Sequence, residues 1–128
     1  MNRKEAREYV MQAVFQMEAQ NDFENPDMEQ YLSRKSLGGQ KMYVETLLKT
    51  VASNIEKIDE TINANSEGWP TVRMAKVDLA IVRVAAAEIL FMEEVPAAVA
   101  INEAVNMAKV FGTDQSAKFI NGILAKVK

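Results

Sequence analysis

The stretch VDLAIVRVAAAEILFM, residues 77–92, decides the fold of this 128-residue chain. Apolar side chains cover nearly all sides of a helix drawn over it, and only Asp78, Arg83 and Glu88 are charged. A helix that is apolar all round lies inside a bundle, so these residues predict a central helix. We expect the three charged heads to reach the surface or to pair with neighbours, a partner contact being the alternative. The run is too short and too interrupted by charge to cross a membrane.

Helical periodicity continues on both sides of this stretch. Residues 6–17 place apolar side chains on one face of a first helix. Met28, Tyr31 and Leu32 mark a short second helix, which is expected to continue to Gly38-Gly39. A narrow seam then follows steps of three and four residues, which predicts one long helix. The seam consists of Val44, Leu48, Val51, Ile55, Ile58 and Ile62. It is expected to pack within the chain, with a second chain as the alternative.

The C-terminal part predicts two more helices after the central one. One runs from about Ala97 to Phe111, with Gly112 just past its end and Thr113 as N-cap of the last helix. No segment alternates long enough to predict a strand. We therefore predict an all-α fold of about seven helices in two small bundles packed together. The loop NANSEGWP, residues 63–70, divides this single domain (1–128) into helical halves of about 1–64 and 69–128.

Composition excludes several classes of function. Hydrophobic residues make up 48% of the chain, as in a globular protein. The sequence contains no histidine and no cysteine, so it cannot form Ser-His-Asp or Cys-His catalytic sites or thiolate metal sites. No glycine-rich phosphate loop is present. We expect a non-enzymatic protein without cofactor or metal. The charged first residues lack a secretory apolar segment, which favours a cytoplasmic location.

Charge is distributed unevenly along the chain. Residues 8–33 contain six acids and no Lys or Arg, whereas residues 104–128 contain four lysines and one acid. The net charge of −3 by itself argues against a nucleic-acid partner. Its distribution leaves basic segments at both ends, although ordinary surface scatter explains it equally well.

The last helix has an aromatic residue at the edge of its apolar face. Phe119 lies beside Gln115, Lys118 and Gly122, which supply an amide, a cation and a position without a side chain. Single-stranded RNA is bound by stacking bases on aromatic rings while cations follow the phosphates. The alternative is that Phe119 covers the edge of the core and Gly122 lets a neighbouring helix approach.

The first helix repeats this arrangement. Phe15 lies on a flank with Lys4, Arg7 and Met11, and Arg3 precedes them in the first turn. Cations at a helix N-terminus oppose the helix dipole, which is a small cost without an anionic partner. Two such edges suggest a nucleic-acid surface, with core packing and a solvated first turn as the alternatives.

Three stretches resemble the NusB family of bacterial transcription antitermination factors. They are NRKEAREYVMQAVFQ (2–16), WPTVRMAKVDLAIVRVAAAEIL (69–90) and VPAAVAINEAVNMAKVFGTDQSAKFINGILAKV (95–127). The last stretch is highly specific for the family. Residues 20–65 resemble it in helical pattern more than in letters.

The resemblance implies a non-catalytic protein that binds the single-stranded boxA segment of ribosomal RNA transcripts. It would bind together with NusE, a small-subunit ribosomal protein, and help assemble an antitermination complex on RNA polymerase. The resemblance leaves a homodimer open. The family's RNA contacts fall here on Arg3, Lys4, Arg7, Phe15, Gln115, Lys118 and Phe119. Asp78 falls at an acidic position expected to contact the protein partner.

The sequence also departs from the family's pattern. Glu5 interrupts the basic cluster, Phe15 replaces a common Tyr, and Gln115 stands where some members have an acid. One alternative function is a protein-protein adaptor that binds no RNA and uses the seam or the acidic residues 8–33. An RNA-modifying enzyme is a further alternative, because similar domains are fused to RNA methyltransferases. This sequence lacks a cofactor-binding loop and a cysteine nucleophile.

Overall fold

The computed structural model describes residues 1–33 and 35–127, and over these ranges it contains seven α-helices and no strand. The helices are α1 (Arg3–Gln20), α2 (Met28–Leu32), α3 (Lys41–Ser53), α4 (Ile55–Ala64), α5 (Lys76–Phe91), α6 (Ala97–Phe111) and α7 (Ser116–Leu124). Short 3₁₀ turns cover Lys35–Gln40 and Thr71–Arg73. The predicted all-α fold is confirmed. Within the described ranges, no helix combines the length and the apolar character that spanning a membrane requires.

Helix α5 is the centre of the fold, as its sequence predicts. Every residue from Leu79 to Glu88 is buried, so no face of its middle turns meets solvent. It packs against α1, α3 and α4, which precede it in the sequence, and against α6 and α7, which follow it. The buried apolar residues consequently form one continuous core. The proposed division into halves near residues 64–69 stays a prediction.

The seam faces this core, but not on one long helix. Val44, Leu48, Val51, Ile58 and Ile62 are all 0% exposed. Asn54 interrupts the helix, with φ −122° and ψ 21°, and its side-chain amide donates to the carbonyl oxygen of Thr50 at 2.9 Å. Asn side chains compete in this way with the helical hydrogen bonds. The prediction of an unbroken helix is therefore wrong, and the seam cannot serve as a partner surface while the core is intact.

Two predicted helix boundaries are also wrong. Helix α2 ends at Leu32, and Gly38, with φ +48°, lies inside the following 3₁₀ segment. Helix α7 begins at Ser116 with Gln115 as its N-cap residue, because residues 113–116 first form a turn in which Ser116 N–H donates to the Thr113 carbonyl.

Gly112 does follow the end of α6, but for a different reason than the predicted one. Its backbone is extended, with φ −98° and ψ −161°. A Cβ at this position would lie 2.6 Å from Ser116 Oγ and 2.8 Å from the Ala108 carbonyl oxygen. The chain therefore requires glycine here because the turn into α7 approaches the end of α6 closely.

Two charged clusters join α5 to its neighbours, which confirms that Arg83 and Glu88 pair within the chain. The Glu88 carboxylate, 1% exposed, accepts from Arg7 Nε at 3.0 Å and from the Tyr43 hydroxyl at 2.9 Å. Arg83 donates to Glu18 and to Asp59, each at 2.7 Å. These clusters fix α1, α3 and α4 on the central helix, and they set α1 antiparallel to α5.

Arg7→Met should lower the free energy of unfolding by about 3–5 kcal/mol, because it leaves the buried Glu88 carboxylate without its cation. Chemical denaturation measures this change. The double variant Arg7→Met/Glu88→Gln removes the charge and keeps an acceptor for Tyr43, so it should recover most of the loss. A single variant as stable as the parent protein would contradict the structural role assigned to this ion pair.

The Arg83 cluster predicts a loss of stability in acid. The hydrogen bond from Arg83 holds the pKa of Glu18 below its ordinary value of 4.5. A carboxylate with a lowered folded-state pKa stabilises the fold above its unfolded pKa, and that contribution is lost as pH falls through the folded-state pKa. Glu18→Gln should therefore be less stable than the parent at neutral pH and lose less stability on acidification. Equal acid dependence of the two unfolding free energies would refute this.

Candidate nucleic-acid interface

The exposed side of α7 forms an open groove with the loop that follows α4. The groove has a volume of about 530 Å³. Its lining residues are Asn65, Ser66, Glu67, Gln115, Lys118, Phe119, Gly122, Ile123 and Lys126, and we call it the α7 groove. Three residues predicted from the sequence, Gln115, Lys118 and Phe119, thus share one surface.

Phe119 lies at the edge of the core and also on the surface. Its ring is half-buried and packs against the core, and its outer part lines the α7 groove. Gly122, in contrast to Phe119, does not pack against a neighbouring element, because a Cβ built there meets no atom of one within 4 Å. The alternative that Gly122 admits a neighbouring helix is therefore wrong. Gly122 leaves open space beside an aromatic ring on the floor of the groove.

Charge in the α7 groove is mixed, with an excess of cations. Lys118 and Lys126 are exposed there, and Lys126 Nζ lies 2.8 Å from a carboxylate oxygen of Glu67. Glu67 belongs to the turn after α4 and has a left-handed φ of 52°. Lys118 is the groove cation for which no ion pair occurs among the described residues. The groove therefore offers a positive charge next to the Phe119 ring.

A second groove adjoins the first and shares Phe119 and Gln115 with it. Its wall includes Trp69, which is 43% exposed, and Asp78 at the first turn of α5. The Arg73 guanidinium lies 4.7 Å from the centroid of the Trp69 ring. The structure thus places the residue expected to contact the protein partner beside the residues expected to contact RNA. The role of Asp78 stays a prediction.

Helix α1 carries the remaining predicted residues at separate points. Phe15 is 39% exposed, and Lys4 and Arg3 are exposed in the first turn. Twelve residues at 1.5 Å each place Arg3 and Phe15 about 18 Å apart along the helix axis. Glu18, one turn beyond Phe15, reaches Lys76 at 3.7 Å, so this end of α1 adjoins the start of α5. The predicted residues of α1 therefore lie apart from one another, and none of them lines either groove.

Arg7, unlike Arg3, Lys4 and Phe15, does not reach the surface. The sequence predicts that it contacts RNA, but its side chain is 5% exposed and bound to Glu88 through Nε and Nη2. Met11, placed on the same flank, is also buried. The physical reason is that α1 packs against both α3 and α5, so its buried face is wider than one apolar stripe. We therefore leave Arg7 out of the interface.

Sequence reasoning missed the residues that surround Arg3. Its Nε donates to Gln40 Oε1 at 2.8 Å, and its guanidinium carbon lies 3.9 Å from the centroid of the Tyr43 ring. Both partners come from the end of the 3₁₀ segment and the start of α3. Periodicity within one helix contains no signal for such a contact, because the partners are separated by 37 residues or more.

The structure also explains Glu5, which interrupts the basic cluster. Asn2 Oδ1 accepts from the Glu5 backbone N–H at 2.8 Å, and Glu5 Oε1 accepts from the Asn2 N–H at 2.9 Å. This reciprocal pair is a capping box, which satisfies two backbone donors at the helix start. Glu5 thus stabilises the turn that bears Arg3 and Lys4.

Fold and groove together define an all-α helical-bundle protein with an open groove on its surface. Residues 4–128 match the model of the NusB family. The transcription antitermination protein NusB of Alkaliphilus oremlandii is 42% identical over 98% of this chain and 92% of its own length. Thermotoga maritima NusB superposes with a TM-score of 0.88 at 32% identity, covering 99% of this chain and 90% of that one. A chain in the crystal structure of a plectonemic RNA supercoil shares the fold, with a TM-score of 0.85 at 24% identity over 99% of this chain and 94% of that one.

The chain therefore belongs to the NusB family. This is a family of transcription antitermination factors and not of enzymes. The resemblance found in the sequence is confirmed.

Two glycines in this region should respond oppositely to alanine. Gly122→Ala places a methyl group in open space and removes the helix penalty of glycine, so it should raise the free energy of unfolding by up to about 1 kcal/mol. Gly112→Ala, the matched control, puts a Cβ within 3 Å of Ser116 and Ala108 and should destabilise the protein. Thermal unfolding of both variants checks this. A destabilised Gly122→Ala protein would mean that the groove is occupied by protein atoms.

Proposed function

We propose that the protein binds single-stranded boxA RNA of ribosomal RNA transcripts as a heterodimer with the ribosomal protein NusE. In this role it helps to assemble an antitermination complex on RNA polymerase. The observation that carries the proposal is the α7 groove, where the Phe119 ring, the Lys118 cation and the vacant position at Gly122 are adjacent.

Each feature of the groove matches a need of single-stranded RNA. An exposed aromatic face stacks on an unpaired base, a contact worth about 1–3 kcal/mol. Lys118 is close enough in sequence and exposed enough to meet a phosphate next to that base. The Gln115 amide offers a donor and an acceptor for base edges. Gly122 leaves room for the base beside the ring.

The remaining exposed residues extend this surface into a path. Phe15 supplies a second ring, and Lys4 and Arg3 supply cations at the far end of α1. An extended strand can follow such separated contacts, whereas a compact ligand cannot. The likeness to NusB proteins, and to a chain crystallised with an RNA supercoil, supports RNA as the ligand.

NusE is proposed to dock beside the RNA, near Asp78. This carboxylate lies in the second groove with Trp69, which has a large exposed ring. Exposed tryptophan is enriched at the centres of protein interfaces. A partner bound there would adjoin Phe119 and so contact the same RNA. With this arrangement we expect the pair to bind RNA more tightly than either member alone.

The alternative function, a protein adaptor that binds no RNA, has less support. One of its two candidate surfaces, the seam, is buried in the core. The other, the acidic region 8–33, loses part of its free charge because Glu18 is paired with Arg83 and Lys76. The adaptor alternative predicts that the protein binds no RNA even when the partner is present.

Phe119→Ala should weaken binding of a labelled boxA RNA about tenfold in the presence of NusE, because it removes one stacking contact. Fluorescence anisotropy measures the affinity, with a scrambled RNA as reference, and circular dichroism verifies the fold. Phe91→Ala is a matched control. Phe91 is also a partly exposed phenylalanine, with 39% of its surface exposed, but it lies at the C-terminal end of α5, at the opposite end of that helix from Asp78. This control should leave RNA affinity unchanged. A folded Phe119→Ala protein that binds boxA RNA as tightly as the parent would contradict the proposed site.

A further inference from the structure

We propose that Tyr43 and Gln40 are positioning residues that hold the Arg3 guanidinium ready to bind an RNA phosphate. The inference rests on the proposed RNA-binding function and adds a second anchor point, remote from the α7 groove. It assigns a role in ligand binding to α3, which the sequence motifs do not include.

The Arg3 side chain is exposed and yet held on two sides. One face of the guanidinium lies over the Tyr43 ring, 3.9 Å from its centroid. The Nε–H is taken by Gln40 Oε1 at 2.8 Å. The two terminal nitrogens make no hydrogen bond or ion pair with the described residues. They are therefore the groups left to donate to an external acceptor.

The Tyr43 ring is in turn held by the core. Its side chain is buried, and its hydroxyl donates to the Glu88 carboxylate at 2.9 Å. Burial and the nearby Glu88 charge raise the pKa of Tyr43 above its usual value, so the hydroxyl stays protonated as a donor. Arg7, bound to the same carboxylate, lies 5.6 Å from the ring centroid. The ring that supports Arg3 therefore cannot leave its position without breaking a buried hydrogen bond.

The backbone beneath Arg3 is fixed as well. The Asn2–Glu5 capping box holds the first turn of α1, and Glu5 uses its carboxylate on the Asn2 N–H. No ion pair joins Glu5 to Arg3 among the described residues. The basic pair Arg3 and Lys4 thus keeps its charge available at the surface.

A phosphate is the ligand that this arrangement fits best. Two parallel N–H groups of a guanidinium bind phosphate oxygens in a bidentate geometry that an ammonium group cannot reproduce. An arginine already held in place loses less conformational freedom on binding than a free one. Lys4 beside it and Phe15 further along α1 continue the proposed RNA path. A carboxylate on a protein partner is the competing ligand, and the test below separates the two.

The experiment measures the affinity of boxA RNA as a function of salt concentration for a set of variants, with NusE present. Arg3→Gln should reduce the slope of log affinity against log salt by about 0.7, the value for one lost phosphate contact on a single strand. Arg3→Lys keeps the charge but loses the stacked fork, so affinity should fall about two- to fivefold with little change in slope. Gln40→Ala, a change outside the core, should give a similar fall.

Double-variant comparison tests whether Arg3 acts through Tyr43. Arg3→Lys should weaken binding in the parent and have almost no effect in a Tyr43→Leu background. Tyr43→Phe keeps the ring but loses the hydrogen bond that holds it, so it should be less stable and bind RNA more weakly than the parent, though more tightly than Tyr43→Leu. A merely structural Tyr43 would leave the effect of Arg3→Lys the same in both backgrounds. If Tyr43→Leu does not fold, Gln40→Ala replaces it in the comparison.

The outcomes separate this inference from the proposed function. Lys49→Gln serves as control, because Lys49 is an exposed α3 cation paired with Glu45 and should not alter RNA affinity. If the parent protein shows no preference for boxA RNA, the proposed function fails. If the parent binds and Phe119→Ala weakens it while the Arg3 variants bind normally, only this inference is overturned. Arg3 variants that weaken NusE binding without RNA present would assign the guanidinium to a protein carboxylate and overturn it too.

Discussion

The buried carboxylate of Glu88 is the constraint on which the rest of the structure depends. It lies in the middle of the chain's most apolar helix, where an unpaired charge would cost several kcal/mol. Arg7 from α1 and Tyr43 from α3 satisfy it at 3.0 and 2.9 Å. Because both partners must reach the same atoms, this pairing fixes the rotation of α1 and the position of α3 on α5. Apolar packing alone would tolerate several rotations, whereas these hydrogen bonds select one.

That fixed rotation decides which residues of α1 face solvent. With Arg7 turned inward, Lys4 and Phe15 point away from α5, and Arg3 lies over the outer side of Tyr43. The Arg83 cluster does the same at the other end, since Glu18 meets Arg83 and Lys76. The two buried ion-pair clusters therefore determine which α1 residues are exposed and so available to the proposed RNA path. A change in the core would move the surface residues together.

Much of the fold follows from the sequence for identifiable reasons. The all-apolar stretch 77–92 requires a central position, and the structure buries ten consecutive residues of α5. The predictions failed where a local side chain competes with the pattern, as Asn54 does within the seam. They also failed where two segments approach closely in a way that sequence spacing does not reveal, as at Gly112, where the turn into α7 lies against the end of α6. Periodicity reports which side of a helix is apolar, and it does not report where the backbone hydrogen bonds are interrupted.

The candidate site was predictable in part, and Arg7 shows the limit. Arg3 and Arg7 are the same residue type in the same helix, and one is exposed whereas the other is buried. The difference comes from a carboxylate 81 residues further along the chain. No pattern within α1 contains that information. The aromatic edge at Phe119 was visible because its neighbours Lys118 and Gly122 lie within one turn of the same helix.

Gly122 concerns both the stability of the fold and the candidate binding site. A glycine inside a helix lowers its stability, and proteins usually gain something in packing from such a residue. Here the space above Gly122 is empty of protein atoms, and the helix partner predicted as an alternative is absent from it among the described residues. The destabilising residue thus lies where a half-buried ring and an exposed lysine already meet. Nothing in the packing of α7 accounts for the stability given up at this one position, whereas the proposed RNA ligand would account for it.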